Sequence, residues 1–524
     1  MRKKKVRTVA VIHLGSENIT MQIVEYMNLE QMQVVEEVRH TVHLGEEAFQ
    51  YHKISLPTTL QIVAILQGFR QVMRDYGVKS YILQATTAVR EAENRHYFID
   101  QIKVKTGFVI DVVNMSQEIY TKLASLLRTL QMSEKKPEQE AGILLADISS
   151  GGLGLTYIKN REVKLQQNLH VGLVRLKEEF TRNERASIHF QEALEEYIAD
   201  RLRLVGEELC HEDIRLLVLT GTESQVLLEV FGKEENKKTK EPTSIPAARV
   251  EQLYQWGYQL TASQLQRVFH LSPEEMELAG PAMVLCRQLL LLSRAEYVVM
   301  PRDRFIDGMK VLYIAQQLHD PFLAEMLELQ MSLVRGIGSR FHYDAAHAAF
   351  VERMCGILFD TLAPSQGLEE RDKTFLRAAA YLHNIGKYAS MRIYDRYNYY
   401  LIESADILGF SVKDCHIIAQ ICYLYTLDKP ELPGTEPLDF GGTVEPLVAK
   451  LAAILRLADS MDCSGKQKIT DCKVEIRGDT LWVGAQSQEP LLLEKWQFAK
   501  RGGFFAEVFG LRPVLEKVRE KNER

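Results

Sequence analysis

The sequence predicts an α/β module of two similar lobes, followed by an all-helical domain and a small tail of strands and one helix. Residues 8–26 and 141–156 both read as strand, small-residue turn and strand, and apolar residues recur with helical spacing from about residue 319. A Gly-Asp turn then separates two short strands near residue 478. We therefore expect lobes at 1–131 and 132–316, a helical domain at 317–470 and a tail at 471–524.

Composition narrows the class of protein and its partners. A chain of 524 residues exceeds what one hydrophobic core usually supports, and its 46% hydrophobic and 26% charged residues are typical of soluble globular proteins. The formal net charge of -6 gives no overall electrostatic attraction to nucleic acid or to a membrane surface. We expect neither as a partner, and any anionic ligand must be held by local groups.

The cysteines and apolar segments favour a cytoplasmic protein. The seven cysteines are odd in number, scattered and without a Cys-x-x-Cys pair, which argues against disulfides or a thiolate zinc site. The basic N-terminus leads into a strand and a glycine turn, so we expect no signal peptide. The most apolar run, residues 282–293, contains Arg287 and is too short to span a bilayer, which predicts a buried helix.

The first lobe is expected to alternate strands and helices after its opening turn at Gly15 and Ser16. Capping chemistry at residues 86–94 predicts a helix start, and the charged, proline-containing segment 132–140 predicts a linker. The remaining elements expected are a helix at 56–76, strands at 80–85 and 108–113, and a helix at 116–130.

The second lobe opens on a buried apolar run that ends in Asp147 and continues into Ser149, Ser150, Gly151 and Gly152. Small residues let backbone N–H groups approach phosphate oxygens, and an aspartate at a strand end can hold a metal or orient a water molecule. Alone, the stretch fits an ordinary glycine-rich hairpin between two core strands better than a phosphate turn. A third small-residue turn, Thr220-Gly221-Thr222, points the same way as the first two.

The later elements follow from hydrophobic periodicity. In the second lobe we expect helices at 180–208 and 247–268 and a strand at 216–222. In the helical domain we expect helices at 344–362, 369–383, 401–408, 412–425 and 443–461. The tail should hold strands between residues 472 and 483 and a helix from Arg512.

One segment carries a specific resemblance. Thr87-Ala-Val-Arg-Glu-Ala-Glu-Asn94 resembles a turn-and-helix motif of the exopolyphosphatase and guanosine pentaphosphate phosphatase (Ppx/GppA) family. His170-Val-Gly-Leu-Val-Arg-Leu176 and Leu493-Glu-Lys-Trp496 extend the similarity over essentially the full length. The resemblance implies an actin- and sugar-kinase-like (ribonuclease H-like) module with a phosphate cleft between its lobes.

The resemblance also implies a chemistry. It suggests release of the terminal phosphate from polyphosphate or guanosine pentaphosphate with Mg²⁺, Arg90 as a phosphate ligand, Glu118 as the general base and Asp147 as a metal or water ligand. The phosphate cradle would consist of Gly15, Ser16, Ser149, Ser150, Gly151, Gly152, Gly221 and Thr222. Read without the resemblance, Arg90 fits a surface ion pair with a nearby glutamate, and Glu118 fits an acid at a helix N-terminus.

Several acids of the family pattern are missing. The first turn of the family begins with Asp, whereas this chain has His13, and the closing Glu of the second turn is replaced by Gly154. Of a paired Glu-Glu, only Glu118 remains. A second hypothesis is therefore a protein that does not turn over substrate and binds polyphosphate or guanosine polyphosphates as a sensor or scaffold.

The helical domain resembles the HD-type domain of longer family members. That resemblance places His347, His383 and Asp459 where such a domain binds a divalent cation, but Asn384 stands where the pattern has Asp. A neutral amide is a poorer ligand than a carboxylate, and Tyr397 and Tyr425 replace further expected histidines. The alternatives are a metal site and a structural helical domain. The family resemblance also suggests a homodimer.

Overall fold

The computed structural model describes residues 6–132, 142–149, 151–185, 187, 189–221, 224–231, 243–258, 262–269, 271, 273–426 and 445–518. The chain forms two compact units, Met1–Gln330 and Met331–Arg524. Nearly all of the predicted linker, together with Ser150 and Thr222, lies outside the described residues. The division into four segments stays a prediction.

The first sheet has five strands in the order β3-β2-β1-β4-β5, with β1 in the centre. β1 pairs antiparallel with β2 and parallel with β4, and their inward side chains form one core with the flanking helices. The strands are β1 (Arg7–Leu14), β2 (Asn18–Tyr26), β3 (Met32–Thr41), β4 (Tyr81–Ala85) and β5 (Asp111–Val112). The helices are α1 (Leu44–Tyr51), α2 (Leu56–Asp75), α3 (Thr87–Glu91), α4 (Arg95–Thr106) and α5 (Met115–Met132).

The second sheet has six strands in the order β10-β11-β9-β6-β7-β8. The strands are β6 (Gly142–Ile148), β7 (Leu153–Lys159), β8 (Glu162–Leu169), β9 (Ile214–Thr220), β10 (Thr243–Pro246) and β11 (Tyr297–Met300). The helices are α6 (Leu173–Glu179), α7 (Arg182–Arg185), α8 (Phe190–Leu209), α9 (Ser224–Phe231), α10 (Ala247–Tyr258), α11 (Ala262–Phe269), α12 (Pro273–Ser293) and α13 (Phe305–Leu318).

The two sheets repeat one design. β6 holds the position of β1, because it pairs antiparallel with the next strand, β7, and parallel with β9. This arrangement confirms the predicted two-lobed, actin-like module. The third strand of each meander, β3 and β8, was not predicted from the sequence, since β3 is only partly buried and its alternation of apolar and polar residues is weak.

Helix α12 contains the one stretch of the described residues, Met276–Ser293, that is long and apolar enough to span a bilayer. Its mean hydropathy is 1.3, and 56% of it is buried. Ala282, Leu285 and Leu289 belong to the hydrophobic core of the second lobe. The helix is thus a core element of the first unit, as its interruption by Arg287 predicts.

Helices α5 and α13 cross closely in the first unit. A Cβ atom on Gly308 of α13 would lie 1.9 Å from the backbone oxygen of Thr121 in α5. Only glycine permits that approach. The crossing fixes the helix that carries Glu118 and Lys122.

The second unit is mainly helical. Its last helix before the tail, α19, buries Leu451, Leu455 and Ala458 against neighbouring helices. The helices after α13 are α14 (Phe322–Arg340), α15 (Ala345–Gln366), α16 (Glu370–Leu382), α17 (Tyr394–Glu403), α18 (Val412–Leu424), α19 (Pro446–Ser460) and α20 (Leu492–Phe509), with a 3₁₀ turn at Ile385–Tyr388.

The end of the chain differs from its prediction. The predicted helix from Arg512 is wrong, because Arg512–Val518 forms strand β14, which pairs parallel with β13. Pro513 lacks an N–H group and is tolerated because β14 is an edge strand. The three-stranded sheet is completed by β12 (Asp471–Arg477) and β13 (Thr480–Gln486), and the helix of the tail is α20, which precedes β14.

Other elements also begin or end at residues different from those predicted. The strand expected at 108–113 is only the two residues of β5, and the helix expected from residue 86 is divided into α3 and α4. Helix α6, the four-residue α7 and α8 replace the single helix expected at 180–208. These differences leave the order of the central strands unchanged.

Gly308→Ala should lower the free energy of unfolding of the first unit by about 2–3 kcal/mol, because the added methyl group meets backbone of α5. Gly68→Ala is the matched control. Gly68 lies exposed within α2 with nothing within 4 Å of its Cβ position, so alanine should add about 0.5–1 kcal/mol of stability. Urea denaturation followed by circular dichroism measures both. Equal effects would contradict the close crossing.

Candidate phosphate cleft

The first unit contains a cleft of about 130 Å³ where its turns converge. Of the predicted site residues, Gly15, Ser16, Glu118, Ser149 and Gly221 line it. The other lining residues are His13, Glu17, Asn18, Thr20, Arg39, Thr86, Thr87, Lys122, Asp303, Arg304, Phe305 and Ile306. Four further predicted residues, Arg90, Asp147, Gly151 and Gly152, are not part of this lining.

Several backbone N–H groups of the first two turns donate hydrogen bonds within their own turn. The N–H of Gly15 donates to the backbone oxygen of Asn18 at 2.9 Å. The N–H of Gly152 donates to Ser149 Oγ at 3.1 Å, and the N–H of Ser149 donates to the backbone oxygen of Gly152 at 3.0 Å. These three N–H groups therefore close their turns instead of facing an anion.

Gly221 follows β9 with a φ of +105°, in the region that favours glycine. A Cβ atom there would lie 1.9 Å from the backbone oxygen of Ile148. The third turn thus passes directly against the end of β6. A side chain at this position would displace the strand end that carries Asp147.

An ion cluster joins the two predicted acids. Lys122 Nζ donates to Glu118 Oε1 at 2.9 Å and to the two carboxylate oxygens of Asp147 at 2.9 and 3.0 Å. Thr220 Oγ1 donates to Asp147 Oδ1 at 2.8 Å. The three charged side chains are 9%, 7% and 1% exposed, so the cluster is shielded from water.

The cluster sets the protonation of its members. Burial alone would raise the pKa of Glu118, but the Lys122 ammonium and the Arg90 guanidinium lower that pKa to about 2. Burial would lower the pKa of Lys122, but Asp147 and Glu118 raise it above its ordinary value. Glu118 is therefore a carboxylate, and Lys122 is an ammonium, across the physiological pH range.

Arg90 is directed toward protein groups. Its Nη1 donates to the backbone oxygen of Val113 at 3.0 Å and lies 3.5 Å from Glu118 Oε2, and its Nη2 donates to Thr87 Oγ1 at 3.1 Å. The partner that the sequence suggested, a glutamate at position 91 or 93, is replaced by Glu118 of α5. In this geometry Arg90 holds Glu118 in place.

His13 stands at the end of β1, where the family pattern has an acid. Burial lowers the pKa of His13 to about 4, so its imidazole is neutral near pH 7. One ring nitrogen lies 3.3 Å from Thr86 Oγ1, and the ring is 4.8 Å from that of Phe305. A packed neutral ring here offers no negative charge to a metal.

The side chains of Glu118, Lys122 and Asp147, which meet where α5 packs beside the end of β6, do not fit the Mg²⁺ that the family resemblance implies. Mg²⁺ binds oxygen ligands at 2.0–2.1 Å in octahedral geometry. Glu118 Oε1 and both oxygens of Asp147 already converge on Lys122 Nζ within 3.0 Å. The ammonium lies at the point where a cation shared by these carboxylates would bind.

Among the lining residues that the sequence did not single out are two cations, Lys122 and Arg39. Lys122 could have been found, because it lies four residues after Glu118 on a helix, at the spacing of an i,i+4 ion pair. Arg39 lies on β3, a strand that the sequence did not predict. It is exposed, lines the cleft and has no ion-pair partner within the parts of the chain that the structure describes.

The second unit brings together His347, His383 and Asp459, whose candidate ligand atoms lie within 4.8 Å of one another. The ring of His347 lies between two carboxylates. Its Nδ1 is 2.9 Å from Asp462 Oδ2, and its Nε2 is 3.2 Å from Asp459 Oδ1. Asn384 Nδ2 lies 2.8 Å from His383 Nε2. A divalent cation at this cluster stays a prediction, and it would have to displace the proton on His347.

The surrounding cavity of about 610 Å³ also belongs to the second unit. Burial would lower the pKa of His347, but hydrogen bonds to Asp459 and Asp462 raise it to about 9. Burial lowers the pKa of the neighbouring His383. One histidine is therefore charged and the other neutral at pH 7.

Comparison with known proteins agrees with this architecture. A model of the Ppx/GppA phosphatase family matches residues 22–297, and a model of domain III of that family matches residues 330–491. The chain belongs to the Ppx/GppA phosphatase family. The two matched regions include the cleft residues from Arg39 to Gly221 and the histidine–aspartate cluster of the second unit.

Relatives of this Ppx/GppA chain are distant. The guanosine-5'-triphosphate,3'-diphosphate pyrophosphatases of Vibrio campbellii and Aeromonas hydrophila are 21% and 24% identical to it, and each alignment covers 86% of both proteins. A bifunctional 3-dehydroquinate synthase/phosphatase of Fusobacterium nucleatum is 25% identical over 177 residues, which are 33% of this chain and 24% of that protein.

Solved structures share the fold. The Aquifex aeolicus family member is 16% identical with a TM-score of 0.50, and the match covers 60% of this chain and 99% of that one. An exopolyphosphatase from Cytophaga hutchinsonii is 16% identical with a TM-score of 0.51, covering 59% and 98%. These similarities support the two-lobed architecture.

The raised pKa of His347 predicts a pH dependence in the second unit. A group whose pKa rises from 6.5 to about 9 on folding adds stability below pH 6.5 and loses it as the pH rises through 9. Thermal unfolding of the second unit between pH 6 and 10 should show this decline. In His347→Gln the decline should be smaller, and an unchanged slope would contradict the charged His347.

Proposed function

We propose that the first unit binds the phosphate chain of polyphosphate or of a guanosine polyphosphate and releases phosphate far more slowly than a working hydrolase. The observation that carries this proposal is the environment of Glu118. Both of its carboxylate oxygens face a cation, Lys122 on one side and Arg90 on the other. This is the sensor hypothesis that the missing acids left open.

A general base works best when its pKa lies near the operating pH. The pKa of Glu118, at about 2, is far below that range. Taking a proton from water would also require breaking its ion pair with Lys122 in a shielded site. The candidate base is therefore stabilised in the form that accepts a proton least readily.

Binding needs only cationic and polar groups that face the cleft. Arg39 is exposed at the cleft without an ion-pair partner in the described chain, and a guanidinium forms strong, bidentate contacts with phosphate. Lys122 also lines the cleft, but its charge is already paired with Glu118 and Asp147. Arg304 contributes less, because it already pairs with Glu37 at 2.7 and 2.9 Å.

The competing function is hydrolysis of a terminal phosphoanhydride. Relatives named as guanosine-5'-triphosphate,3'-diphosphate pyrophosphatases align over 86% of the chain, and Glu118 does line the cleft. Hydrolysis by this route would require ligand binding to draw Lys122 or Arg90 away from Glu118. The two functions differ in whether phosphate appears.

The test measures binding and phosphate release on the same full-length protein. Wild type should bind long-chain polyphosphate or guanosine pentaphosphate while releasing phosphate no faster than Glu118→Gln. Arg39→Ala should weaken binding about tenfold or more, because one charge-assisted contact is lost. Arg74→Ala is the matched control, since Arg74 is exposed on α2 away from the cleft.

Three outcomes would contradict the proposal. Phosphate release by wild type that Glu118→Gln abolishes would establish the hydrolase instead. Absence of binding to either polyanion, or equal losses in Arg39→Ala and Arg74→Ala, would exclude the cleft as the binding site.

A further inference from the structure

We infer that Lys122 is a built-in replacement for a divalent cation, so that the cleft takes up phosphate chains free of bound metal. The inference rests on the proposed binding function and adds which chemical form of the ligand is recognised. Polyphosphate and nucleoside polyphosphates in solution exist both as free anions and as Mg²⁺ complexes. The structure favours the free anion.

The first support is the position of the ammonium. Lys122 reaches from α5 and bridges Glu118, on the same helix, to Asp147, at the end of β6. A metal ion shared by two carboxylates on separate elements would have the same connectivity. Because all three side chains are at most 9% exposed, the bridge is part of the folded interior.

The second support is the balance of charge. Glu118 and Asp147 contribute two negative charges and Lys122 and Arg90 contribute two positive charges, so the charges of these four side chains cancel. His13, which also faces this cluster, is neutral. A divalent cation added at this cluster would lie next to an ammonium that already contacts both carboxylates. These four side chains would offer the cation no net negative charge.

The third support is the loss of other acids around the cleft. Position 13, which lines the cleft, is histidine. Among the described residues that line the cleft, the carboxylates besides Glu118 are Glu17 and Asp303, and Asp303 accepts a hydrogen bond from Thr129 at 3.2 Å. Substitution of a tethered ammonium for a metal explains why fewer acids are needed.

The wild-type protein gives the first test. Binding of long-chain polyphosphate should be full in EDTA, and its apparent affinity should fall as Mg²⁺ rises, because Mg²⁺ complexes the free ligand. An affinity at least tenfold higher in Mg²⁺ than in EDTA would overturn the inference. Absence of binding in both solutions would instead overturn the proposed function.

A second test counts metal ions without a ligand or an activity. Lys122→Gln removes the charge but keeps a polar side chain, and it should bind one more Mn²⁺ per chain than wild type, measured from free Mn²⁺ by electron paramagnetic resonance. Lys310→Gln is the matched control, because Lys310 is also mostly buried and paired, with Asp307 at 2.6 Å, but lies outside the cleft. The cluster in the second unit is the same in all three proteins.

If Lys122→Gln folds poorly, its unfolding temperature with and without Mn²⁺ provides the test instead. Removing Lys122 leaves two buried carboxylates without their shared cation, which destabilises the first unit. Mn²⁺ should raise the unfolding temperature of Lys122→Gln and leave that of Lys122→Arg unchanged. No extra Mn²⁺ and no Mn²⁺ stabilisation in Lys122→Gln, or an equal gain in Lys310→Gln, would overturn the inference.

Discussion

The ion cluster of Lys122, Glu118 and Asp147 is the constraint on which the chemistry of the first unit depends. It links helix α5 to the end of β6, and it lies in a shielded place where an unpaired charge is strongly destabilising. The two carboxylates expected to perform catalysis therefore both bind the Lys122 ammonium. A ligand that binds at these carboxylates must either contact Lys122 or displace it.

The fold brings these groups together through its repeated topology. β1 and β6 hold equivalent central positions, and their first turns both end at the cleft. Gly221 allows the third turn to reach the end of β6, and Gly308 allows α13 to lie against α5. The scaffold of a phosphate cleft is thus retained, while Arg90, Glu118, Lys122 and Asp147 are paired with one another.

Sequence reasoning predicted the scaffold better than the site. Strongly apolar strands and small-residue turns specify β1, β2, β6 and β7, so the two-lobed module was predicted correctly. The last element of the tail was not, because Pro513 is compatible with a helix start as well as with an edge strand. Lys122 shows the limit most clearly, since its pairing with Glu118 follows from helical spacing but its contact with Asp147 depends on the tertiary fold.

A crystal structure of the full chain grown in Mn²⁺, with anomalous data collected at the manganese edge, distinguishes an ammonium bridge from a metal bridge at this cluster. We expect Lys122 Nζ between Glu118 and Asp147 and no anomalous peak within 3 Å of either carboxylate. A manganese peak bridging those two carboxylates, with Lys122 turned away, would contradict this expectation.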